Sequence, residues 1–282
     1  MKNEDLVHVL PTSHPSFLIL HWLRRPSGLH LFHMGFAIFL LLLTVLGAGA
    51  AAAWVPVARG GQWLKPLLAF SGAYLFTLTV THILPEALQL LPDKPTQVGY
   101  WVLAGFFGQL LLEVLSQGVE HGHVHHEAAH SPHEGVGRVP FLLLAALVVH
   151  SFLEGSILVH SPEVGQVSQN FYAIVVGVAL HHMPAAFALA TLLRLRLGSF
   201  RRVWPGLLIF ALASPVGIVF SNYVALSQLL NSGWYAALLG LVAGNFLHVS
   251  TTILFETSPE HRLNWPKLAA TAAGLLLALA VA

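Results

Sequence analysis

His150 and Glu154 stand four residues apart in the stretch Val149-His150-Ser151-Phe152-Leu153-Glu154-Gly155, and His181-His182-Met183-Pro184 follows further along the chain. Residues at i and i+4 share one face of a helix, so this spacing offers an imidazole and a carboxylate side by side. A borderline divalent ion takes such nitrogen and oxygen donors, usually in a tetrahedron. His150, Glu154 and His181 can supply three ligands, and water or another helix completes the shell. His182 is turned by about 100° from His181 on an ideal helix, away from the same side of that ion. Pro184 has no N–H for the carbonyl of Leu180, which frees a backbone oxygen beside the imidazoles. The plain alternative is a buried His–Glu hydrogen bond that only pins two helices together.

The elements that carry these groups are apolar. Of 282 residues, 56% are hydrophobic and 9% charged, against about a quarter charged in a soluble domain. A helix crosses the bilayer with roughly 20 apolar residues, and such stretches fall at about 32–54, 66–91, 99–117, 140–160, 171–193, 203–226, 234–255 and 266–282. The pattern predicts an all-α integral membrane protein, a bundle of about eight transmembrane helices. The first stretch is too long and too far from Met1 for a secretory signal peptide. His150 and His182 fall at the midpoints of the fourth and fifth stretches, and the short connection around Pro162 to Gln169 makes these antiparallel neighbours. An ionisable group at that depth costs several kcal/mol unless it meets a partner or a water-filled path, which marks it as functional by default.

Other residues extend a path from that centre. His82 and Glu86 repeat the i, i+4 pairing in the second stretch, where they would meet a cation at the entrance. Glu113 ends the third stretch, and Glu256, Glu260 and His261 follow the seventh, where acids would receive a departing ion. His248 lies near the middle of the seventh stretch beside Asn245, placed equally well for a helix-packing hydrogen bond or a metal contact. Ser214-Pro215 marks a kink, and Gly105, Gly177 and Gly217 read as close-packing positions. Between the third and fourth stretches, residues 118–138 hold six of the 18 histidines, among them His121, His123, His125 and His126. With no helical or strand period this segment reads as a loop, suited to weak exchangeable metal binding or simply to solvation.

Lysine and arginine resist translocation, so their distribution orients the chain. Nine of the 13 fall in the odd-numbered connections, from Arg59 in the first to Lys267 in the last. This places both termini outside the cytoplasm, residues 1–31 as an extracytoplasmic segment, and the histidine loop inside. The absence of cysteine excludes disulfides, thiolate zinc sites, iron–sulfur clusters and thiol nucleophiles. A formal net charge of +1 offers no basic face to nucleic acid.

Taken together, these residues resemble the ZIP family of zinc and iron transporters. His150-Ser151-Phe152-Leu153-Glu154-Gly155 is similar to the family's His-Ser/Asn-x-x-Glu-Gly core, His181-His182-Met183-Pro184-Ala185 to its second core motif, and His82-Ile83-Leu84-Pro85-Glu86 to its His-x-Leu-Pro-acid segment. Ser214-Pro215-Val216-Gly217 and the stretch from Ala243 to Glu260 follow in the expected order. Many members carry Asn at Ser151 and glutamates at Ala185 and Ser214, which help build a two-metal centre. The resemblance therefore implies one principal ion held by His150, Glu154 and His181. His182 replaces an acidic, amide or lysine side chain, and is left as a charge switch, an accessory ligand or a gate.

The function expected is uptake of divalent transition-metal ions, with zinc foremost, into the cytoplasm across the inner or plasma membrane. The ion is cargo, no cofactor is required, and a homodimer is allowed. No enzyme chemistry is expected. The competing readings are a histidine-box di-iron oxygenase or desaturase, since His121, His125 and His126 spell His-x-x-x-His-His, and a haem-binding membrane protein.

Overall fold

A computed structural model describes residues 28–54, 57–116, 139–159, 167–226, 232–256 and 265–281. The described residues form eight long helical elements and no strands. They are α1 (Gly28–Ala51), α2, α3 (Pro95–Leu115), α4 (Val139–Ser156), α5 (Val167–Leu197), α6 (Trp204–Leu226), α7 (Ser232–Glu256) and α8 (Trp265–Val281). Helix α2 runs from Val57–Leu78 through a π-helical turn, Thr79–Ile83, into Leu84–Leu90. Six of the eight are long and apolar enough to cross a membrane, whereas α4 and α8 are shorter apolar helices. The eight stretches read from the sequence thus all form helices. The N-terminal segment (all but its last four residues), the histidine loop and residues 160–166 between α4 and α5 lie outside the described residues, while Val167 to Gln169, read as part of that connection, open α5. Helix α1 starts at Gly28, four positions ahead of the sequence boundary.

Packing divides the helices into two sets. Helix α1 packs on α5 and α6, and α4 on α6; α2 packs on α8 and α7, and α3 on α7. Between the sets the broadest contact is α2 with α5. In membranes association rests on close backbone approach rather than on hydrophobic exclusion, so small residues mark the seams. A Cβ at Gly105 would lie 1.8 Å from the carbonyl oxygen of Leu241, and one at Gly244 1.9 Å from that of Val102. On α4 and α6 the corresponding glycines are Gly155, 2.1 Å from the Ser214 oxygen, and Gly217, 2.3 Å from the Phe152 oxygen. Gly105, Gly177 and Gly217 are therefore close-packing positions, as their sequence suggested.

Residue correspondences make these pairs parallel. Gly105 meets Leu241 while Glu113 meets His248; Ser151 meets Ser214 while Leu158 meets Asn222; His33 meets Tyr172 while Ala53 meets Arg194. Helices α3 and α7, α4 and α6, and α1 and α5 are each separated by an even number of alternating crossings. Parallel packing is what such alternation requires, and it lets the short α4 count as a full crossing.

Helix ends follow their residues. Gly198, at φ 68°, sits just past Leu197 in the left-handed conformation that commonly ends a helix. Arg194 donates to the carbonyls of Ala52 and Ala53, so its cation lies at the negative C-terminal end of α1. Arg196, Arg201 and Arg202 lie exposed at the same end.

Candidate metal centre

Helices α4 and α5 bring His150, Glu154 and His181 together in the interior, with ligand atoms all within 4.8 Å of one another. Helical spacing puts His150 and Glu154 on one face of α4, and their Nε2 and Oε1 atoms are 3.0 Å apart. His181 on α5 places its Nε2 3.2 Å from that of His150. Glu154 is fully buried, His150 is 2% exposed and His181 6%. Two donors at about 2.0 Å from a tetrahedral ion stand about 3.3 Å apart. The separations of 3.0 and 3.2 Å are thus close to the edges of such a tetrahedron.

His182 has a different geometry. Its Nε2 is 2.6 Å from Oε2 of Glu154 and 3.1 Å from the Ser151 hydroxyl. The 2.6 Å contact is too short for two ligands of one tetrahedral ion and matches a charge-assisted hydrogen bond. His182 holds the second carboxylate oxygen while the first faces His150, and its ring leans on Phe210 at a centroid distance of 5.4 Å. The offset of about 100° between His181 and His182 is therefore answered by a separate role. We expect His182→Gln to weaken metal binding about tenfold without abolishing it, since an outer hydrogen bond to a ligand carries roughly that much; calorimetry on purified protein checks this.

The supports of the site come from α6, which spacing and hydrophobicity did not indicate and only the family resemblance at Ser214 did. Ser214 donates its hydroxyl to the backbone carbonyl of Ser151 at 2.8 Å. Together with Gly155 and Gly217 it fixes α4 in depth and rotation. Beside that resemblance, the sequence signal for this pairing was the small-residue pattern. Helix α5 continues as one helix through Pro184.

The remaining candidates are dispersed. His82 lies half-buried in the π-helical turn of α2, its Nδ1 bonded to Thr81 at 2.6 Å, with Glu86 half-buried one turn on. Ser151 is buried beside His182. Glu256 is the last residue of α7. His248 does not stand alone, nor is Glu113 a free acid at the end of its helix: the two face each other across α3 and α7 at 3.4 Å. His121, His123, His125 and His126, like Glu260 and His261, lie outside the described residues.

The family model described as ZIP Zinc transporter matches residues 135–282, just over half of the chain and the whole of α4 to α8. The chain belongs to the ZIP family. Membership makes this a protein of a transporter family, not an enzyme family, and sets aside the histidine-box oxygenase reading. Among ZIP-related proteins, Zinc transporter ZIP9 of Xenopus tropicalis is 30% identical over 182 residues, 62% of this chain and 57% of that protein. Zinc transporter ZIP9-A of Xenopus laevis is 30% identical over 161 residues, 55% of this chain and 50% of its own. Protein zntD of Dictyostelium discoideum is 27% identical over 130 residues, 45% of this chain and 18% of its own. The chain thus spans about half the length of the two ZIP9 proteins. The ZIP match includes His150, Glu154, His181 and His182 but leaves α1 to α3, with His82 and Glu113, outside it.

Proposed function

We propose that the protein carries divalent transition-metal ions, zinc foremost, across a membrane into the cytoplasm, with His150, Glu154 and His181 holding the ion. The observation that carries this reading is a fully buried carboxylate with two imidazole nitrogens at ligand spacing, midway along the membrane-spanning α5 and in the C-terminal half of the apolar α4. A carboxylate and imidazoles favour borderline divalent ions over Mg²⁺ and Ca²⁺, which prefer shells of oxygen. Family membership and the ZIP9 relatives support zinc as cargo.

The transport unit in this reading is residues 32–282, with 1–31 outside the cytoplasm. The clustering of Arg194, Arg196, Arg201 and Arg202 at one end of α1, α5 and α6 supports a cytoplasmic position for that end. The ion-binding groups all belong to the set α1, α4, α5 and α6, so exposure to one side and then the other requires movement of this set against α2, α3, α7 and α8. His82 and Glu86 serve the entrance, and Glu256 with residues 118–138 the release side.

Flux into proteoliposomes with the protein inserted in one known orientation tests this directly. We expect Zn²⁺ to enter from the face opposite the arginine cluster and to be competed by Cd²⁺ or Co²⁺ rather than Mg²⁺. Equal competition by Mg²⁺ would remove the cargo assignment.

A further inference from the structure

We infer that the end of α5 and the start of α6, together with the end of α1, form a binding surface for the headgroup of an anionic phospholipid, with Arg196 and Arg201 as its principal contacts. Arg194, Arg196, Arg201 and Arg202 fall within nine residues and make up four of the 13 lysines and arginines of the chain. All four are exposed. Opposing charge is missing around them: helices α1, α5 and α6 carry no acidic residue, and the sequence has none between Glu163 and Glu256.

The four guanidiniums are not equally engaged. Arg194 donates to the last carbonyls of α1, and Arg202 reaches the carbonyl of Leu197 at 3.5 Å, at the end of α5. Both thereby complement the negative end of a helix. Arg196 and Arg201 form no ion pair with a carboxylate among the described residues. Helix α6 opens close by at Trp204 and adds the positive end of its dipole. A guanidinium presents paired N–H donors that match two oxygens of a phosphate. The surplus charge is therefore of the kind that takes a phosphate group.

The neighbourhood selects a lipid phosphate over a soluble one. Trp54 at the end of α1 is 87% exposed, and Leu195, between Arg194 and Arg196, 71%. Phe200 and Trp204, on either side of Arg201 and Arg202, meet edge to face with ring centroids 5.8 Å apart. Helices α1, α5 and α6 are all long and apolar enough to span a membrane, so their ends meet the headgroup layer, where tryptophan rings and arginine stems settle. A soluble anion or an acidic peptide would leave Trp54 and Leu195 in water. A phospholipid covers them with its glycerol and upper acyl chains while its phosphate meets the arginines.

The surface lies on α1, α5 and α6, within the set that holds His150, Glu154 and His181, so a bound lipid ties that set to one leaflet. Its effect on transport, and the inner leaflet as its place, rest on the proposed function; the binding itself does not.

The full chain in a neutral detergent, given phosphatidylglycerol or phosphatidylcholine, supplies the test, read by native mass spectrometry and thermal unfolding. Phosphatidylglycerol is expected to be retained about tenfold more strongly and to raise the unfolding midpoint, with the preference shrinking as salt increases. Arg196→Gln/Arg201→Gln is expected to lose the preference while zinc binding stays unchanged. Equal retention of the two lipids by the unmutated protein, or an undiminished preference in the double variant, would overturn the inference. Complete displacement of the lipid by millimolar inorganic phosphate, but not by chloride of the same ionic strength, would assign the surface to a soluble anion and overturn it as well; so would stronger retention of polyglutamate than of lipid. Should the double variant fail to elute as a single folded species, Arg196→Gln alone decides: a preference reduced about threefold is expected, and an unchanged one overturns the inference. Absence of zinc flux in the unmutated protein, with the lipid preference intact, would count against the transport reading alone.

Discussion

His150→Ala and Glu154→Ala are each expected to reduce metal flux into proteoliposomes by about 100-fold or more, down to the level of protein-free vesicles, while the protein still inserts in the membrane. Loss of an outer hydrogen bond already costs roughly 10–100-fold in metal affinity, and loss of a direct ligand costs at least as much. The geometry says why neither residue has a substitute. Glu154 is the one carboxylate between His150 and His182, at 3.0 and 2.6 Å. His150 is the residue whose Nε2 meets both Glu154 and His181. Removing Glu154 leaves imidazoles with no negative partner, and an approaching dication then meets neutral ligands only. Near-normal flux in both variants would sink the assignment of the centre. Glu154→Gln separates charge from shape: it keeps the volume beside His182, and flux is expected to be lost all the same.

The second large effect involves no ligand at all. Gly155→Ala would put a Cβ 2.1 Å from the carbonyl oxygen of Ser214, where backbone rather than a yielding side chain stands in the way. Helix α4 must then move off α6 or turn, and Glu154 is the adjacent residue. Overpacking of this kind costs about 1–3 kcal/mol where neighbours can give, and more where they cannot. We expect the midpoint of thermal unfolding in detergent to fall by several degrees and zinc affinity to drop with it. Wild-type stability and affinity in Gly155→Ala would mean that the α4–α6 seam does not hold the centre in place.

The centre itself was legible because its signal is local. An i, i+4 His/Glu pair states its own geometry once the helix is assumed, and matching midpoints put His150 and His182 at one depth. Beyond α4 beside α5, which helices pack on which was not legible. In a lipid environment both the buried and the outward faces are apolar, so the hydrophobic period that orients a helix in a soluble protein is absent. Hence Ser214 was read as part of a kink and as a missing glutamate, although its hydroxyl anchors Ser151, and Glu113 and His248 were read separately, although they face one another. The glycines carried the missing information: Gly240 and Gly244 on α7, with Gly105 on α3, spell the seam that brings that pair together. The role of His182 needed atomic distances, since a rotation of about 100° says only what the residue does not share with His181.

The π-helical turn at Thr79–Ile83 acts as a phase shift within α2. One extra residue in a turn advances everything after it by about 100° around the helix axis relative to an unbroken α-helix. Before the turn, Tyr74 reaches across to donate to the carbonyl of Ala173 on α5, and Phe70 lies against Gly274 of α8. After it, the final turns from Leu84 to Leu90 pack on α7. A single helix thereby serves partners in both sets, and it keeps α7 on both sides of the turn, since Gly72 before it already lies against Ile253. Deleting one residue from this turn would rotate the final turns from Leu84 to Leu90 by about 100° against α7, so the length of α2, counted to the residue, is part of how that contact and the one between Tyr74 and α5 hold together.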